Sequence, residues 1–258
     1  MLGGHGTGST SHLVETIAQM GAYLSYIYDD CGNIIAVSDG VKQITYVYDK
    51  LGQLIRANDP HDATAGSSGT TWVYAYDLGG NILSKKAYAY TTGTLGAAVH
   101  TDTYTYGDAN WKDKLTSYNG TAITYDAIGN PLNDGSWTYE WAVGRQLKKI
   151  SRDGQSLTFK YDHNGMRIQK VLEHSWYPET TNYTYHGKLL THMEVAYTDF
   201  DEVSHVDKLH FFYDAQSHPA KVRFNGTIYT YVHNLQGDIV GILDNNGNLV
   251  VEYKYDAW

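Results

Sequence analysis

Twelve histidines, a single cysteine and a regular series of aspartates are the residues of this 258-residue chain with the most obvious chemical potential. His186 and His192 lie six apart, and His205 and His210 lie five apart. Neither pair has a cysteine or a carboxylate at liganding spacing, and the zinc tetrads and the His-Glu-x-x-His helix are absent. One cysteine, Cys31, excludes an internal disulfide framework and a cysteine zinc site. It occupies a turn position that Leu51, Gly79 and Ile128 fill elsewhere, so it reads as a tolerated turn residue. The aspartates Asp29, Asp49, Asp77, Asp126, Asp162, Asp214 and Asp256 invite a paired-carboxylate reading of the glycosidase kind. Each of them has a turn role that explains its spacing without catalysis. No Gly-x-Ser-x-Gly elbow, phosphate loop or dinucleotide fingerprint occurs, and the glycine-rich Gly3 to Gly8 follows no strand. The residues therefore assign no catalytic, cofactor-binding or metal site, and the chain reads as non-enzymatic and without a cofactor.

The elements that position these aspartates are written in one phrase. Tyr-Asp occurs seven times, as in Tyr28-Asp29-Asp30-Cys31-Gly32-Asn33-Ile34, Tyr48-Asp49-Lys50-Leu51-Gly52-Gln53-Leu54 and Tyr125-Asp126-Ala127-Ile128-Gly129-Asn130-Pro131-Leu132. Recurrence at about 20 to 30 residues marks one supersecondary unit copied many times. Two positions before the tyrosine stands another apolar residue: Tyr26, Tyr46, Tyr74, Ile123, Phe159, Phe211 or Tyr253. That period of two directs both side chains to one face of a strand. In Asp-x-x-Gly the aspartate opens a type I turn and accepts a backbone N–H two residues on, while glycine takes a position where φ is often positive. A polar residue and an aliphatic pair follow as the returning strand, so each phrase is one β-hairpin. Degenerate copies begin at Tyr183 and Tyr229, and Asp244 opens a turn without its tyrosine. Asn119-Gly120 and Asn225-Gly226 add two-residue hairpin signals of the type I′ kind. The expected fold is all-β: about ten or eleven consecutive antiparallel hairpins forming a coiled sheet.

Composition agrees. Twenty-four tyrosines and twenty-six glycines against four prolines suit half-buried strands joined by tight turns. A formal charge of −9 argues against a nucleic-acid partner, which would require a basic face. No run of about 18 apolar residues exists, so no membrane span is expected. The six tryptophans follow no period, which disfavours aromatic platforms for sugars, although surface glycans are the alternative partner for the tyrosines.

The N-terminal segment and three internal stretches read as departures from the repeat. Met1 to Thr10 is expected to be flexible, and Ser11 to Met20 to form a short helix capped by Ser11, with Leu13, Ile17 and Met20 on one face. Glu15 and the lack of a basic leader argue against a secretion signal. Asn58 to Thr70 and Thr91 to His100 read as long surface loops, and Tyr197 to Lys208 as a solvated loop or edge hairpin. The organisation expected is an atypical segment over 1–22, repeats over 23–230, and a distinct closing region over 231–258.

The phrase Tyr-Asp-x-x-Gly-(Asn/Gln/Arg)-Leu/Ile, preceded by Tyr-x-Tyr, resembles the YD-repeat or RHS-repeat family over residues 23 to 258. That family includes bacterial RHS and wall-associated proteins, the shells of insecticidal toxin complexes, and the barrel of animal teneurins. Residues 231–258 look like the opening of the RHS-associated core. The resemblance implies a hollow shell or barrel wall that holds a toxic C-terminal domain, released by an aspartate-dependent self-cleavage. It also implies that the partners are the remainder of the shell and its core and toxin domains, and that the location is the bacterial exterior or surface. The chain stops before the family's cleavage motifs, so it is expected to be a fragment of a larger protein, and the family's catalytic residues have no positions here.

Overall fold

The structure, a computed structural model, describes residues 13–19, 22–173 and 177–255. Every regular element among them is a β-strand, twenty-three in all. Ten form one sheet, from Thr16–Gln19 to Thr121–Ala122, and thirteen form a second, from Thr124–Tyr125 to Leu249–Glu252. In both sheets the spatial order is the chain order, so the all-β succession of antiparallel hairpins expected from the repeat is what the chain forms.

The register repeats as the phrase does. Tyr28 faces Ile34 while Ile27 faces Ala36, which leaves one extra residue on the returning strand. The same shift falls at Tyr48, Tyr76, Tyr125, Tyr161 and Tyr213. Such a bulge strengthens the local twist of the strand pair. The two-residue turns are built as their sequences require. Asn119 and Gly120 both have positive φ (48° and 79°), and so do Asn225 and Gly226 (47° and 92°).

The helix expected over Ser11 to Met20 is not formed. Thr16–Gln19 is a strand paired antiparallel with Ala22–Tyr28, with Thr16 opposite Ser25 and Gln19 opposite Ala22. A β-branched pair, Thr16-Ile17, beside an open strand gains ladder hydrogen bonds that a short isolated helix cannot match. Ser11, Met20 and the Met1 to Thr10 segment lie outside the described residues. Tyr197 to Lys208 is neither a loop nor an edge hairpin. Leu189–Thr198 and Ser204–Tyr213 are ten-residue strands in the interior of the second sheet, joined by the Asp199 turn.

The chain divides into two compact units. The first comprises the described residues of 1–120, 232–240 and 253–258. Its core is Ala57, Trp72, Tyr74, Ile82 and Ala87, with Tyr46, Leu54, Tyr76 and Tyr104 packed against it. Within this unit the Leu235 N–H donates to the Tyr26 hydroxyl at 3.0 Å. Its two long connections are tied down. Trp72 Nε1 donates to Asp62 at 2.5 Å, Thr91 N–H donates to Thr71 Oγ1 at 2.9 Å, and the Arg56 guanidinium donates to the carbonyls of Gly93 and Thr91. The second unit comprises Thr121–Tyr231 and Gly241–Glu252, with Val222 and Leu243 among its buried apolar residues.

Candidate functional site

The repeated Tyr-Asp pair is the most regular chemical feature, and the structure gives each half a separate task. At the Asp29 turn, Oδ1 accepts the N–H of Cys31 at 2.9 Å and of Asn33 at 2.8 Å, while Oδ2 accepts Asn33 Nδ2 at 2.9 Å. Gly32 N–H reaches the Asp29 carbonyl at 3.1 Å, with Gly32 at φ +85°. The arrangement recurs with Asp77 and Asn81, Asp126 and Asn130, and Asp244 and Asn248. The polar residue after the glycine therefore closes the turn onto the carboxylate. At Asn234 the pair is exchanged: the Asp238 N–H donates to Asn234 Oδ1 at 2.8 Å, and Asn234 Nδ2 donates to Asp238 at 2.9 Å.

The tyrosine fastens its strand to the adjacent one, which belongs to the preceding turn. Tyr48 donates its hydroxyl to the Ile34 carbonyl at 3.0 Å, Tyr76 to Leu54 at 2.8 Å, Tyr161 to Leu147 at 2.9 Å, Tyr213 to Leu190 at 2.6 Å and Tyr255 to Ile239 at 2.8 Å. Tyr28 does the same to Val14 at 2.6 Å, and Tyr185 to Arg167 at 3.0 Å. From Ile34 to Ile239 the acceptor is the first or second residue of a returning strand. One fastening carries no Tyr-Asp signature: Trp141 Nε1 donates to the Pro131 carbonyl at 2.7 Å. Its bulge, between Glu140 and Trp141, sits where the repeat predicts a tyrosine. Any ring bearing a donor at its far edge can take this place, which is why the dipeptide can be lost and the geometry kept.

Charge follows the same division. The Asn33 and Asn81 side chains hold Asp29 and Asp77 below the usual carboxylate range. The backbone N–H groups of Met166, His218 and Asn248 do so for Asp162, Asp214 and Asp244. At Asp126 burial is the largest single influence and pushes upward, and the hydrogen bonds from Asn130, Ile128 and Gly129 together outweigh it. Burial raises Tyr48 and Tyr213, and drives Tyr46 up to about 12. These six aspartates are thus anionic acceptors, and Tyr48 and Tyr213 protonated donors, across the neutral range.

The other candidates are scattered. His192 is brought to His210 and not to His186, across adjacent strands, with ring centroids 4.3 Å apart. His205 sits 2.6 Å from Asp199. Cys31 is exposed in its turn. Among the described residues no three histidines, cysteines or carboxylates are grouped to hold a metal. Trp72 is buried, Trp111 is 47 % exposed and Trp137 lies under Arg152, while Trp176 and Trp258 lie outside the described residues.

The comparisons agree with this repeat. The Teneurin YD-shell family matches residues 22–258. The tRNA3(Ser)-specific nuclease WapA of Bacillus spizizenii and the tRNA nuclease WapA of Bacillus subtilis are each 35 % identical over 153 residues, covering 58 % of this chain. The chain spans 6 % of the length of these relatives. Among solved structures, TcdB2-TccC3-Cdc42 superposes with a TM-score of 0.69 at 19 % identity, covering 91 % of this chain and 13 % of that one. TcdB2-TccC3 gives 0.68 at 18 %, covering 91 % and 14 %. At these identities the structures attest the fold alone, and the family match attests the repeat: the chain belongs to the Teneurin YD-shell family.

Proposed function

We propose that this chain is a stretch of scaffold wall in a longer, secreted or surface-displayed bacterial YD/RHS-repeat protein. The wall encloses or presents a C-terminal effector, and no catalytic step falls within this segment. The carrying observation is the consumption of the repeat's polar groups. The turn carboxylates are occupied by backbone N–H groups, and the tyrosine hydroxyls by carbonyls of adjacent strands. What those groups accomplish together is a continuous, internally hydrogen-bonded sheet, the material from which a protective wall is made. The names of the Bacillus relatives describe nucleases, and this chain corresponds to 6 % of their length. On this reading the nuclease chemistry belongs to another part of such proteins, and the partners of this chain are the rest of the wall and the domain it holds. Residues 23–230 then supply repeats, and 231–258 open the core that follows. The test is limited proteolysis of the longer protein, with and without paired Tyr48→Phe and Tyr161→Phe substitutions. Enclosure predicts a protease-resistant C-terminal domain that becomes cleavable when the fastenings are removed. A domain cleaved equally fast in both proteins would refute it.

A further inference from the structure

In the repeat, the residue five places after the turn aspartate is apolar: Ile34, Leu54, Ile82 and Pro131. After Asp162 it is Arg167. Its guanidinium lies 4.3 Å from the centre of the Phe159 ring and 5.9 Å from that of Tyr161. Tyr185, on the adjacent strand, donates its hydroxyl to the Arg167 carbonyl. Nε is enclosed without an acceptor. Among the described residues no carboxylate pairs with the half-buried side chain, and of its three nitrogens Nε alone is enclosed. Asp162, the nearest carboxylate in sequence, accepts the N–H groups of Asn164 and Met166 on Oδ1 and forms no ion pair with Arg167. Lys170, on the same strand, is paired with Glu179 at 3.1 Å.

We propose that Arg167 is an anion receptor whose ligand is a carboxylate borne by a polypeptide, seated end-on against the two Nη groups between aromatic walls. An enclosed guanidinium nitrogen without an acceptor is costly, and a planar fork held by ring stacking is preorganised for a group with two oxygens. A single unpaired cation balances a monoanion, whereas a phosphate dianion would need a second. The walls offer surface and no donors, since the hydroxyl of Tyr161 is already engaged. This site stands independently of the enclosure reading.

The test follows the Arg167 Nε–H signal by nuclear magnetic resonance in the 258-residue chain, because an enclosed N–H exchanges slowly enough to observe. The probes are a blocked peptide with one glutamate, its glutamine counterpart, and inorganic phosphate. Saturable displacement is expected with the glutamate peptide at about 1 mM and none with the glutamine peptide. Arg167→Lys keeps the charge and loses the fork; peptide binding, then followed through the tyrosine ring signals, is expected to weaken at least about tenfold. Arg167→Met retains an apolar stem on Phe159 and is expected to abolish binding while leaving the unfolding transition cooperative. The proposal is overturned by no saturable shift with the glutamate peptide, by equal binding of the glutamine peptide, by tighter binding of phosphate, or by undiminished binding in Arg167→Lys.

Discussion

Replacing Tyr48 by phenylalanine isolates the contribution of one fastening. The substitution removes a single hydroxyl, which donates to the Ile34 carbonyl at 3.0 Å, and leaves the ring in place. A typical intramolecular hydrogen bond contributes about 0.5–1.5 kcal/mol net, and a carbonyl left dry costs up to about 3 kcal/mol. Ile34 is only half-buried, so water can replace the lost donor, and the lower range applies. We expect a loss of about 1 kcal/mol, roughly a fivefold change in the folding equilibrium. Tyr23 is the control: it is 48 % exposed and makes no such bond among the described residues, so Tyr23→Phe should change stability by less than about 0.5 kcal/mol. The assay is equilibrium urea unfolding followed by fluorescence, with buried Trp72 reporting on the unit that contains both residues. Tyr161→Phe lies in the other unit, and its loss should add to that of Tyr48→Phe. Equal midpoints for Tyr48→Phe and Tyr23→Phe would refute the reasoning, because the tyrosine would then act through its ring alone.

The turns give further expectations. Gly129 has φ +86°, so Gly129→Val should cost about 2 kcal/mol and exceed Asp126→Ala in denaturant melts. Val143 is a β-branched residue at φ +45° and 87 % exposed, and Val143→Gly should raise stability by about 1 kcal/mol. Acid should destabilise the fold through the turns. The carboxyls of Asp29, Asp77, Asp162, Asp214 and Asp244 are depressed in the folded chain, so their contribution is present above the unfolded value of about 3.9 and is lost as pH falls below it. Urea midpoints measured down through that range should fall, and Asp77→Asn should flatten the decline. At the other extreme, Tyr46, Tyr118 and Tyr139 are pushed up to about 12, so tyrosinate absorbance should show a late fraction that titrates only as the chain unfolds. Stability from these groups is complete below about pH 10 and is lost as pH rises through their folded values.

Much of this architecture is legible in the residues because turn chemistry is local. Asp-x-x-Gly dictates the turn at Asp29 or Asp126 wherever the chain places it, and Asn225-Gly226 dictates a two-residue turn by its own φ preferences. What the sequence hid depends on partners distant along the chain. Thr16–Gln19 carries a helix cap signal upstream, yet pairing with Ala22–Tyr28 decides its conformation. The acidic stretch around Asp199 looked like a solvated loop because charge marks exposure of side chains and says nothing of backbone pairing. The fastening by Trp141 left no trace in the dipeptide, since only its indole N–H is needed. Of the candidate residues, the turn role of the aspartates was readable, whereas the acceptor of each tyrosine hydroxyl was not, because it lies on an adjacent strand 14 to 23 residues away in the fastenings at Tyr48, Tyr76 and Tyr213. Arg167 was hidden for the same reason: its isolation from carboxylates is a property of three strands.

The most direct measurement is electron cryomicroscopy of the longer protein proposed to carry this chain, at a resolution that traces strands. The account predicts that these hairpins continue into neighbouring hairpins as one wall, with polypeptide density sheltered behind it. Hairpins standing as a separate module, bathed by solvent on both faces and with no sheltered chain, would contradict it.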